Sequence, residues 1–304
     1  MLIAAVFTSC NTNQSNTDID ENKITVVTTV FPVYDWTRNV AGDRCNIIYL
    51  DESGTDMHSF EPTANDILTI SKADVFIHIG GVSDKWVDGA LSATGNKDIR
   101  VLSLIDVTGV LEEETVDGMQ IHEHEHDVTE YDEHIWLSLK KAVIATNEIC
   151  TVLSQADKEN SSYYKTNAES YTNKLLELDK KYTDCVSNAE RKTLLFADRF
   201  PFRYLTEDYG IEYFAAFPGC SAESEASFDT LASLIEKTKN LSLPVILTIE
   251  NSTADIAETI SKQTGAKIMT LNSCQSVTAS DIESGLTYLS AMENNLKTIS
   301  EALN

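Results

Sequence analysis

No stretch of this 304-residue chain reaches the roughly eighteen consecutive apolar residues that a membrane-spanning helix needs. Basic residues are scarce: 23 Lys and Arg stand against 48 Asp and Glu, a formal net charge of −25. Such a field repels nucleic-acid backbones and anionic headgroups and draws in cations, so no nucleic-acid partner is expected. The six cysteines include no CxxC pair, which excludes a structural zinc knuckle or a thioredoxin-like motif. There is no low-complexity linker after residue 24 and no sequence-level repeat. What remains is a chain 42% hydrophobic, enough for one large domain or two lobes of roughly 100 to 150 residues each.

The patterning favours two lobes. KITVVTTVF, from Lys23, is β-branched and almost continuously apolar, which reads as a buried parallel strand stopped by Pro32. VYDWTRNVAGD then sets Val33, Trp36, Val40 and Ala41 on one helical face, and NIIYL (46–50) is a second strand. Pro62 suits a first helical turn, with Ile67, Leu68 and Ile70 as the buried face, before the strand ADVFIHIGG. A helix SDKWVDGALSA, a strand IRVLSLID and an amphipathic helix LSLKKAVIATNEICTVLSQ follow. Tyr164, Ala168, Tyr171, Leu175, Leu178, Tyr182 and Cys185 then recur at alternating spacings of four and three, the seam of a long helix. KTLLFA, IEYFAAF, PVILTIE and AKIMTL are the strands of a second series, closed by the helix YLSAMENNLKTISEALN. The expected class is therefore α/β: two α/β lobes with central, mostly parallel sheets, joined by one long α-helix. The divisions fall at 1–23 (tether), 24–140 (first lobe), 141–190 (connecting helices) and 191–304 (second lobe).

Four of the six histidines lie in IHEHEHDVTEYDEHIW, residues 121–136. His58 and His134 each follow a strand, where open α/β sheets place ligands, and each has carboxylates beside it: Asp56 and Glu61, Asp132 and Glu133. Imidazole is a common zinc ligand at neutral pH, so these two are the candidate metal ligands. His78, ending ADVFIHIGG, reads as a core histidine. At the N-terminus, MLIAAVFTSC is a short apolar run ending in small residues and Cys10. It resembles a bacterial lipoprotein signal with Cys10 as the lipidated residue, although no basic residue precedes the run and Phe7 stands where such signals carry Leu.

GTDMHSFEPTANDILTISKADVFIHIGG, then DEHIWLS, then the long helix and a second α/β series resemble the zinc and manganese solute-binding lipoproteins of bacterial ABC importers, over residues 24 to 304. VVTTVFPVYDWTRNVAGD and GLTYLSAMENNLKTISEAL resemble that family's flanking segments. The resemblance implies a metal cleft between the lobes with His58 and His134 as ligands. It also implies a third ligand, His or Glu, before an aromatic residue and "YG", but counting back from Tyr209-Gly210 lands on Arg199, which is always protonated and cannot ligate a cation. Either Asp198 beside it takes the role, or this lobe contributes nothing there. The fourth position falls near Asn272, a weak zinc ligand, with Cys274 two residues on as a strong thiolate. Cys220 either joins Cys274 there or forms a disulfide with it, the disulfide being ranked first. Glu225 fits a family segment near the cleft and equally a helix N-terminal acid.

His122, His124 and His126 match the His-rich acidic insertion of the zinc-selective branch. They are read as loose zinc ligands that feed or complete the cleft site, or as a solvated surface loop. Imidazole favours Zn²⁺, with Mn²⁺ as the alternative. The implied protein is an extracytoplasmic, monomeric, non-enzymatic receptor, anchored to the membrane through a lipid on Cys10 and delivering Zn²⁺ to an ABC permease and its ATPase. The alternatives are a zinc hydrolase using Glu61 or Glu133 as base, and a metal-storage or adhesin lipoprotein without transport.

Overall fold

The computed structural model describes residues 19–120, 131–221 and 225–304; Cys10, His122, His124 and His126 lie outside them. Among the described residues no helix is long and apolar enough to cross a membrane.

The first lobe runs β1 (Ile24–Thr28), α1 (Phe31–Ala41), β2 (Cys45–Tyr49), α2 (Ala64–Ser71), β3 (Val75–His78), α3 (Val87–Thr94), β4 (Arg100–Ser103) and α4 (Leu104–Thr108). Its four strands are parallel in the order β2-β1-β3-β4. Four details differ from the sequence reading. Pro32 does not end a strand: it occupies the first turn of α1, where its missing N–H costs nothing. Thr63 caps α2 through a capping box with Asp66, leaving Pro62 outside the helix, and Leu68 turns outward, about 100° around the helix from the Ile67/Ile70 stripe. IRVLSLID divides into β4 and the short α4.

A short antiparallel pair, β5 (Leu111–Glu112) with β6 (Tyr131–Asp132), precedes α5 (Leu139–Ala156) and the 28-residue α6 (Ser161–Asn188). The α6 seam is buried from Tyr164 through Tyr182, but it closes on Val186 rather than on Cys185, which is only half-buried. At a rise of about 1.5 Å per residue α6 is long enough to touch both lobes. Tyr171 donates from its hydroxyl to Asp35 of α1 at 3.2 Å, while Tyr182 donates to the Met292 carbonyl at 2.7 Å.

The second lobe runs β7 (Thr193–Phe200), α7 (Arg203–Tyr209), β8 (Glu212–Pro218), α8 (Phe228–Asn240), β9 (Val245–Thr248), α9 (Asp255–Thr264), β10 (Lys267–Thr270), α10 (Ala279–Glu283) and α11 (Tyr288–Leu303). Its parallel sheet is ordered β10-β9-β7-β8. Counted from each lobe's own first strand, both sheets read second-first-third-fourth, so two copies of one topology are present without a sequence repeat. The order reverses between first and third strands, the switch point beyond whose carboxyl ends such sheets bind ligands.

Leu175 sits in the middle of the α6 seam, fully buried, while its neighbour Leu176 is 49% exposed. Leu175→Ala should cost about 2–5 kcal/mol in urea unfolding through the cavity it leaves. Leu176→Ala should stay within about 0.5 kcal/mol.

Candidate metal centre

The loop after β2 carries His58 on a 3-10 turn, Met57–Ser59. Asp56 caps that turn, its Oδ1 accepting the His58 N–H at 3.0 Å. His134 follows β6 directly, and Asp132 Oδ1 accepts both its backbone N–H at 2.8 Å and its Nδ1–H at 3.0 Å. His58 Nδ1 faces Ser83 Oγ at 2.8 Å and Glu133 Oε1 at 3.2 Å. Because the Ser83 hydroxyl is donated to Glu133, the hydrogen between Ser83 and the ring belongs to His58 Nδ1. In its neutral form each imidazole thus carries its hydrogen on Nδ1 and turns an Nε2 lone pair inward, and the two Nε2 atoms are 3.2 Å apart. Carboxylate partners of this kind fix the tautomer and orientation of metal-binding histidines.

His134 is fully buried and His58 partly so. Burial disfavours charge on His134, but the Asp132 carboxylate more than offsets it and holds the ring's pKa above its ordinary value. Burial likewise pushes Glu133 up, yet hydrogen bonds from His58 and Ser83 outweigh it and leave its carboxyl below the usual range. Glu133 is only 2% exposed, and its contacts with His58 Nδ1 and Ser83 orient the His58 ring.

Around the two Nε2 atoms gathers the only cluster of three potential His, Cys, Asp or Glu ligands among the described residues: His58, His134 and Cys220, with all ligand atoms within 4.8 Å of one another. Gln275 Oε1 joins them, 3.3 Å from His134 Nε2. The group opens on a cavity of about 570 Å³ bordered by Asp56, Asp198, Arg199 and Ser273. Two nitrogens each about 2.0–2.1 Å from a tetrahedral Zn²⁺ lie about 3.3 Å apart, so the observed Nε2 separation fits that ion.

The other residues singled out from the sequence lie elsewhere. Asp198 borders the cavity but accepts from the Arg199 N–H at 2.9 Å and the Ile249 N–H at 3.4 Å, and it is outside the cluster. Asn272 closes a turn, accepting the Cys274 N–H at 2.8 Å and pairing with Asn295. Cys274 has φ 60° and is fully buried in the main core, where desolvation pushes its thiol well above the ordinary range. That turn sends Cys274 inward and brings Gln275 to His134. The Cys220–Cys274 disulfide ranked first is therefore not formed, since Cys220 borders the cavity and Cys274 faces the core. Arg199 lies at a register irregularity of β7 and pairs with Asp56 of the first lobe at 2.7 Å. His78 is a core histidine, stacked on Phe76 and bonded to Asp84. Gln275 escaped the sequence reading altogether; its one signal is its place three residues past Asn272.

Residues 26–302 match the family model described as zinc-uptake complex component A, periplasmic. The chain belongs to this family. It is 33% identical over 303 residues to the zinc-binding lipoprotein AdcA of Streptococcus pneumoniae, an alignment covering 98% of this chain but 59% of AdcA. It thus spans less than two thirds of that relative. The high-affinity zinc uptake system protein ZnuA of Bacillus subtilis is 30% identical over 315 residues, covering 100% of this chain and 94% of ZnuA. The fold matches the crystal structure of the Zn(II)-bound ZnuA-like domain of S. pneumoniae AdcA with a TM-score of 0.75 at 32% identity, over 92% of this chain and 99% of that one.

Where metal-binding histidines rest on carboxylates, removing the support weakens binding without abolishing it. Asp132→Ala is expected to lower affinity for a divalent transition metal by about 10–100-fold by competitive titration. Retained parent affinity would show that His134 does not depend on this carboxylate.

Proposed function

We propose that this family member is an extracytoplasmic receptor that captures Zn²⁺ between its two lobes and delivers it to an ABC permease driven by an ATPase. The observation that carries this reading is the pair of Nε2 lone pairs facing each other at 3.2 Å, each ring locked through Nδ1. The cargo follows from the donors: imidazole suits zinc, whereas manganese prefers carboxylate oxygen. Zinc binding by AdcA and zinc uptake by ZnuA support the same reading.

The protein performs no covalent chemistry in this account. It works as a monomer, held at the membrane surface by a lipid on Cys10, with His122, His124 and His126 as a loose first catch for zinc. The acidic surface concentrates cations near the cleft. Release comes when the permease shifts the lobes. Because α6 braces both lobes, the movement is small sliding of packed elements rather than a wide hinge opening.

Titration of the chain with Zn²⁺ against a competing chelator tests the proposal. The parent should bind with a dissociation constant on the order of nanomolar. His58→Ala/His134→Ala should lose that binding, and Mn²⁺ should compete poorly. A double variant that binds like the parent, or a parent that binds only weakly, would remove the cleft as a transport site.

A further inference from the structure

The two lobes reach the metal group from corresponding places. In the first lobe the second strand, β2, leads into the loop bearing His58; in the second lobe the second strand, β8, leads through Gly219 to Cys220. Gly219 permits the approach, because a Cβ there would lie 2.8 Å from the Phe200 carbonyl oxygen and 3.1 Å from His134 Cε1. Arg199 ties both loops together. Its guanidinium pairs with Asp56, two residues before His58, and donates at 3.5 Å to the carbonyl of Ser221, the residue after Cys220.

Gln275 points independently to a ligand. It is 2% exposed, its Oε1 lies 3.3 Å from His134 Nε2, which carries no hydrogen in the neutral Nδ1–H ring, and its own Nε2 is buried without a hydrogen-bond partner. A buried amide in this pose is left short of bonds. An oxygen and a ring nitrogen aimed at one shared cation account for it.

We infer that Cys220 supplies a thiolate to the metal in this cleft and that Gln275 adds a carbonyl oxygen, completing a shell of two imidazoles, one sulfur and one oxygen. The inference rests on the cleft being a metal-receptor site and specifies its chemistry. On binding, the sulfur–metal bond replaces the S–H bond and the proton leaves to solvent. A thiolate in the shell favours thiophilic ions such as zinc and cadmium and rejects manganese more firmly than a carboxylate in its place would. Arg199 then acts as a positioning residue, holding the Cys220 loop against the His58 loop.

The test is anaerobic titration of the full chain with Co²⁺, followed by zinc competition. The parent should develop a thiolate-to-cobalt charge-transfer band in the near ultraviolet. Cys220→Ser should lose the band and bind zinc about 100-fold more weakly or worse, since even supporting partners of ligands cost up to that much. Cys185→Ser, half-buried and remote from the cluster, should keep both. In the parent, bound zinc should also shield Cys220 from alkylation in peptide mapping, a readout independent of how Cys220→Ser folds. If the band is absent, or Cys220→Ser retains parent affinity, while His58→Ala/His134→Ala loses zinc, the thiolate is overturned and the receptor reading stands. If the double histidine variant keeps band and affinity, both fall.

Discussion

Two imidazoles whose hydrogens are both committed at Nδ1 place like lone pairs 3.2 Å apart, an arrangement that is repulsive until a cation or a proton is shared between them. In the dry surroundings of His134 that repulsion is poorly screened, and the adjoining carboxylates of Asp132 and Glu133 deepen the preference for a positive charge. The two ring nitrogens are set in place by Asp132, Ser83 and Glu133 without any ion to organise the chain around them.

Holding that geometry falls to contacts that cross between the lobes. Trp136, in the turn after His134, donates its indole N–H to the Ser273 carbonyl at 2.7 Å, and Tyr49 donates to the Val277 carbonyl at 3.3 Å. Ser53 bridges Thr278, and the Tyr288 N–H donates to the buried Asp35 at 3.1 Å. The Arg199–Asp56 pair is partly exposed, and ion pairs of that kind contribute little to stability. Its consequence is positional: it fixes the separation of the loops that bear His58 and Cys220. Separating the lobes must break this seam while α6 keeps them joined.

Much of this was legible in the sequence. Helix and strand periodicity placed two α/β series around a long helix, and the G-x-D-x-H and D-x-H-I-W motifs carried His58 and His134. The shared topology of the lobes was hidden because strand order is set by long-range pairing, which leaves no local mark. Counting along the chain to Asn272 and Cys274 missed the side chain that reaches His134, because the left-handed Cys274 turns the side-chain register, burying Cys274 and presenting Gln275. Arg199 stood out in the sequence as a departure from the family's ligand pattern. Its ion pair reaching into the other lobe depends on tertiary packing that spacing does not reveal.

Anomalous diffraction at the zinc absorption edge, from crystals of the zinc complex of the full chain, tests the central claim most directly. The account predicts one strong peak in the cleft within coordinating distance of both His58 Nε2 and His134 Nε2. A cleft with no peak, with zinc found only on residues 121–130 or at the surface, would contradict it.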